Sequence, residues 1–241
     1  MEQSIRDMKI NGVGKASGGR YNRVLLDGIG TINGEVQCEE LQCNGQMKLN
    51  AQLTAERITI NGTGKITGPV QSGDFRTDGM LDVEQEVRFN KLVLNGILKC
   101  GAGASGEQAE IYGTLKLKED LQCETLEVRG NLQVEGLLNA DTIKIEMIGK
   151  CNVREIGGEH IMVRKLNKAP GLLEMFSGKL LGSRLTADVI EGDEIELEYT
   201  KARVVRGSRV RIGPGCEIDY VEYKETYEAD PKSDVSKAKH V

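Results

Sequence analysis

From Val24 onward the chain alternates in short bursts, an apolar residue on either side of a polar one, with two or three corner residues between bursts. The bursts return every 17 residues. Val24, Leu41, Ile58, Phe75, Leu92, Ala109, Leu126 and Ile143 share one position, and Leu26, Cys43, Ile60, Leu94, Ile111, Val128 and Ile145 share a second, which only Thr77 breaks. Ile32, Leu49, Ile66, Val83, Cys100, Leu117, Val134 and Cys151 form a third column, and Val36, Leu53, Val70, Val87, Ala104, Leu121 and Leu138 a fourth. Alternation with period two marks a strand with one buried face, and a fixed long period marks a repeat architecture. Three short strands in each 17-residue coil predict an all-β solenoid of triangular coils. Each inward column would then stack about 4.8 Å from its copy in the next coil.

The glycines follow the same period. Gly28, Gly30 and Gly34 taken alone have the GxGxxxG look of a phosphate loop, but Gly28 recurs as Gly45, Gly62, Gly79, Gly96, Gly113 and Gly130. A phosphate loop needs one strand, one loop and one following helix, and no segment of helical period follows any copy. A corner whose backbone needs positive φ is the expected role, helped by the Asp or Asn that often precedes it (Asp27, Asn44, Asn61, Asp78, Asn95).

Five segments follow from where the repeat holds and where it slips. Residues 1–23 carry a degenerate first coil, since MKINGVG from Met8 matches VLLDGIG from Val24 at an offset of 16. Residues 24–159 are the regular coils. Residues 160–184 interrupt them, with GLLEMFS as a candidate short helix whose Leu172, Leu173, Met175 and Phe176 would form a cap or a partner or membrane contact. Coils resume over 185–223, where VIEGDEIEL and VVRGSRVRI align at an offset of 15 and bring Asp188 to Arg203, Glu191 to Arg206, Glu194 to Arg209 and Glu196 to Arg211. Val221 follows Val204 by 17 residues and marks a last coil; the charged stretch 224–241 lacks apolar periodicity and reads as a disordered tail.

Composition agrees with a thin core. Aromatics are 4% of the 241 residues, Trp is absent and there are 30 glycines, so Val, Ile, Leu, Ala and Cys must fill the interior. The net charge of −5 argues against a general affinity for nucleic acid. Six cysteines contain no CxxC pair, and most fall in inward columns, where small buried hydrophobes are expected rather than metal ligands. The start MEQSIRDMKINGVG shows no basic segment followed by an apolar run, and no apolar segment approaches the ~20 residues of a membrane span, so a cytoplasmic protein is expected.

The glycine-punctuated 17-residue coil with three short strands, running over most of Met8 to Tyr223 and followed by a polar C-terminal segment, resembles the bactofilins, polymer-forming cytoskeletal proteins of bacteria. The resemblance implies a right-handed β-helix that assembles end to end without nucleotide or other cofactor and without catalysis. On the same resemblance it would serve cell shape, appendages or motility. Its partners would be itself, a paralogous bactofilin, and a membrane or membrane protein. On that reading the terminal coils are the assembly surfaces: Met8, Ile10, Val24 and Leu26 at one end, Val210, Ile212, Ile218 and Val221 at the other. The rival classes are a left-handed β-helix acyltransferase, for which His160 is the candidate outside the C-terminal segment, a carbohydrate-active β-helix using outward acids such as Glu84, Glu86 and Glu119, and a non-polymerising binding scaffold.

Overall fold

The structure is a computed structural model that describes residues 6–166 and 182–241. It divides into two compact units, Met1–Lys118 and Glu119–Val241. Regular structure among the described residues is entirely strand, and the pairings are parallel, so each unit is a β-solenoid.

In the first unit, β1 (Arg6–Ile10) pairs with β2 (Val13–Leu26) and β2 with β3 (Ile29–Cys43). The ladder then runs through β5 (Leu53–Ile60), β7 (Val70–Thr77), β9 (Val87–Leu94) and β11 (Ala104–Ile111). A second stack joins the start of β3 to β4 (Gln46–Leu49), β6 (Thr63–Ile66), β8 (Met80–Val83), β10 (Ile97–Cys100) and β12 (Thr114–Leu117). Registers are one to one at 17 residues from β3 onward, as Leu41↔Ile58 and Ile58↔Phe75 show. Two of the three expected strands per coil merge: β5 reads buried, intermediate, buried on either side of the exposed pair Glu56 and Arg57. Pairing with β7 resumes in the same register beyond the corner, Ala55↔Ser72 being followed by Arg57↔Asp74, so the chain bends at Glu56 without losing register.

The glycine column has a different cause from the expected one. Of this column's members in the unit, only Gly12 has a positive φ (155°). What the column shares is close approach: a Cβ on Gly45 would lie 2.0 Å from the carbonyl oxygen of Gly28, and one on Gly79 would lie 1.9 Å from that of Gly62. Beside it runs an amide ladder, in which Asn44 Nδ2 donates to Asp27 Oδ1 at 2.7 Å and Asn61 Nδ2 to Asn44 Oδ1 at 2.8 Å, while Asn95 donates to Asp78. Stacked amides satisfy one another from rung to rung, as they do in cross-β assemblies.

Thr77, the one polar member of its column, is fully buried and its Oγ1 has no hydrogen-bond partner among the described residues. An unpaired buried hydroxyl costs about 1–3 kcal/mol. Thr77→Val keeps the shape and removes that cost, so a gain of about 1 kcal/mol is expected in denaturant unfolding.

In the second unit β13 (Leu121–Met147) pairs with β14 (Lys150–Lys165), then β15 (Arg184–Leu197), β16 (Thr200–Ile212) and β17 (Glu217–Ala229) follow in order. The expected interruption is narrower than 160–184. His160 to Lys165 belong to β14, and Arg184 at the start of β15 pairs with Lys150. Leu166 N donates to Met147 O and Ser183 Oγ to Ile148 O, so the described residues on either side of 167–181 bond to adjacent residues at the end of β13. The candidate helix with Leu172, Leu173, Met175 and Phe176 lies outside the described residues.

The expected register of the last coil is also corrected: Val221 stacks on Val205, and Val204 on Tyr220, an offset of 16. Val205 and Val221 are both fully buried whereas Val204 faces outward, so burial fixes the register that apolar spacing alone left a residue out.

Candidate functional site

The first coil of the first unit ends in an open edge. β1 pairs with β2 on one side, and no strand among the described residues pairs with its other side. The stretch Val13–Ser17 of β2 carries Ile29–Asn33 on one side and pairs with no strand among the described residues on the other. Such an edge presents a row of backbone donors and acceptors to solvent or to another chain. Of the four residues expected at this end, Met8 and Ile10 form the outer layer and are 8% and 9% exposed, whereas Val24 and Leu26 lie one layer in at 0%. Met8 covers Val24 and Ile10 covers Leu26.

The other expected surface is not open. Val210 and Ile212 pair with Tyr227 and Ala229, while Ile218 lies beneath Val235 and Val221 beneath Ala238. The cover comes from the stretch expected to be a disordered tail. Residues 224–229 continue β17, and β18 (Asp234–Val235) and β19 (Ala238–His240) pair with it. Asp230 makes the turn, its Oδ1 accepting from Lys232 N at 2.7 Å and its carbonyl from Ser233 Oγ at 2.6 Å. Val221 N then donates to Lys237 O, Ser236 N to Ile218 O and Val241 N to Tyr223 O. Tyr223 stacks on Tyr227, its ring tilts against that of His240, and His240 Nε2 sits 2.8 Å from Lys224 O. The tail is ordered because the backbone edge beneath it supplies the bonds, a requirement that hydrophobic periodicity does not register.

The four anticipated charge contacts are present. Asp188 meets Arg203 at 3.3 Å, Glu191 meets Arg206 at 3.8 Å, Glu196 meets Arg211 at 3.4 Å, and Glu194 pairs with Arg209. Arg209 reaches on to Glu225 at 2.8 Å, and His160 Nδ1 lies 3.2 Å from Glu194, so His160 is one rung of a half-exposed charge ladder. Among the outward acids, Glu84 pairs with Lys65 and Glu86 with Arg88, while Glu119 is exposed.

The same one-coil spacing of opposite charges yields a contact the sequence reading passed over. Glu146, 6% exposed, holds Arg129 Nε on Oε2 at 2.8 Å and Arg164 Nε on Oε1 at 2.9 Å. Burial pushes its carboxyl up, but the Arg164 hydrogen bond and the charges of Arg164, Arg129 and Lys144 outweigh burial and leave it below the ordinary range. A depressed folded-state value gives stability that is present above the unfolded carboxylate range and is lost as pH falls through the folded value. Both arginines are nearly half exposed, so Glu146→Gln should cost only about 1 kcal/mol at neutral pH, with the difference from the parent vanishing in acid-unfolding curves below that range.

All six cysteines are free and buried. Burial pushes the thiols up to about 12 at Cys38 and Cys123 and about 11 at Cys151 and Cys216, far from the thiolate that metal binding or nucleophilic work requires. No cluster of three potential metal-ligating side chains occurs among the described residues.

The chain has two relatives in Bacillus subtilis strain 168. It is 43% identical over 232 residues to the uncharacterized protein YhbE of Bacillus subtilis strain 168, covering 96% of each chain. It is 45% identical over 101 residues to the uncharacterized protein YhbF of the same organism, 42% of this chain and 40% of that one. No family model and no solved structure matches.

Proposed function

The chain belongs to the YhbE family, and from that premise we propose that it is a structural scaffold of bactofilin type, which associates with further copies through its coil ends without nucleotide. The observation that carries this reading is the open backbone edge of β1 and Val13–Ser17, closed off from solvent on the inside by Met8 and Ile10. A solenoid propagates by adding a parallel or antiparallel strand to such an edge and an apolar layer to such a coil, which is the same interaction that holds its own coils together. A related chain with the same coil spacing would serve as well as an identical one, so co-assembly with a paralogue belongs to the same reading. The role is mechanical, in cell shape, appendages or motility, and it uses no cofactor.

Negative-stain electron microscopy of the purified protein, without nucleotide and over a range of salt, tests it. Filaments or sheets are the expected result. Monodisperse particles at every salt and protein concentration would remove the scaffold reading and return attention to binding on the lateral faces.

A further inference from the structure

One lateral face of the first unit concentrates charge against the sign of the chain. Outward from the short-strand stack run Lys15, Lys48, Lys65, Lys99 and Lys116, interrupted by Thr31 and Asp82, each residue in register with the next. All five lysines are exposed, in a protein of net charge −5. Of the five, Lys65 has an ion pair, with Glu84 at 2.7 Å, whereas Arg23, Arg76, Arg88 and Lys91 on other faces of the unit all have acidic partners. Lys48 stacks directly on Lys65, and Lys99 on Lys116. Like charges placed opposite one another in a ladder are destabilising, so within the unit this column is a cost.

Two residues before each member of that column lies a second outward column, Val13, Ile29, Gln46, Thr63, Met80, Ile97 and Thr114. Val13, Ile29 and Met80 are 86%, 51% and 42% exposed, and Ile97 is half-buried. Those first three are most of the five large apolar side chains that are exposed among the described residues. The face is therefore a strip that carries five exposed lysines in one column and three exposed apolar side chains, with Ile97, in the column beside it. It extends over six rung steps, roughly 29 Å at about 4.8 Å each.

We propose that this face docks on the surface of an anionic lipid bilayer, the lysines meeting headgroup phosphates and Val13, Ile29, Met80 and Ile97 seating among the headgroups. The pairing of cations with exposed apolar side chains is what an interfacial surface takes up, the first by attraction to anionic lipid and the second by burial at the headgroup boundary. A nucleic acid would use the lysines but leave the apolar column bare, and the face carries neither the aromatic platforms nor the arginines that stack on bases. Among the described residues no helix is long and apolar enough to cross a membrane, so contact here is by a strand face. The proposal does not depend on end-to-end assembly, because the whole strip lies in one copy.

Flotation of the full chain with vesicles tests it, using about one-third phosphatidylglycerol in phosphatidylcholine against phosphatidylcholine alone, at low and high salt. Binding to the anionic vesicles alone, lost at high salt, is expected. The double variant Lys48→Glu and Lys99→Glu should weaken it by about tenfold or more, and Val13→Ser with Ile29→Ser should weaken it without altering circular dichroism. Equal flotation of Lys48→Glu/Lys99→Glu and parent, or equal binding to neutral vesicles, overturns the proposal. So does a parent that ignores vesicles while retaining heparin or duplex DNA, or that loses only its own self-association in the double variant, since the strip then serves a polyanion or a second copy.

Discussion

An alanine at position 79 is expected to lower the stability of the first unit by about 3 kcal/mol, the upper part of the range for overpacking a close-packed site. The methyl group would sit 1.9 Å from the carbonyl oxygen of Gly62, and its nearest other neighbours, Asn61 O and C at 2.8 and 2.9 Å, are also backbone. A flexible side chain would yield, but these atoms are held by the ladder: Gly79 N donates to Ile60 O and Met80 N to Gly62 O. To admit the methyl, one rung must slide or tilt against the next, and the Asn95 contact to Asp78 goes with it. The comparison that isolates the effect is Gly14→Ala, where the added carbon meets a single side-chain atom, Ile10 Cγ2, at 3.3 Å and stability should change little. Equal denaturation midpoints for the two variants would mean that the column is not closely stacked.

Which features could be read in advance follows from what the repeat constrains. The inward columns were legible because every coil repeats the same burial: Leu41, Ile58, Phe75 and Leu92 stand at one position of successive coils and each is fully buried. The Asp188–Arg203 and Glu196–Arg211 contacts were legible for the same reason, since opposite charges one coil apart must stack. Glu146 between Arg129 and Arg164 obeys that rule at offsets of 17 and 18, and it was missed where the period changes from one value to the other. The glycine column was visible but its cause was not, because a positive φ and a close backbone approach both select glycine and only coordinates tell them apart.

The C-terminal stretch failed for a physical reason of another kind. A terminal rung faces solvent along its outer edge, so its inward positions can be small: Val235 and Ala238 are the residues that meet Ile218 and Val221. Two apolar residues in a run of Lys, Ser and Asp leave no periodicity to detect. The lysine face escaped notice because outward columns carry no burial signal, and their charges mean something only once the register shows that they lie in line.

The correction at the C-terminal coil decides how end-to-end assembly must be tested. Val221→Asp is expected to destabilise the second unit by about 4 kcal/mol, because Val221 is fully buried between Val205 and Ala238 and a carboxylate there has no cationic partner within its column. Loss of filaments in that variant would accompany a lower melting temperature and would say nothing about contact surfaces. Met8→Lys separates the two effects. Met8 is covered by Val24 on one side and borders the open edge on the other, so a lysine stem lies along the apolar column while its ammonium reaches solvent. Unfolding should then shift by no more than about 1 kcal/mol, while stacking a second copy on that coil would bury an unpaired charge. Filaments absent in Met8→Lys at a parental melting temperature would place the contact at the first coil. Filaments undiminished in that variant would exclude this end as an assembly surface and direct the next variants to the outer edge of β18 and β19.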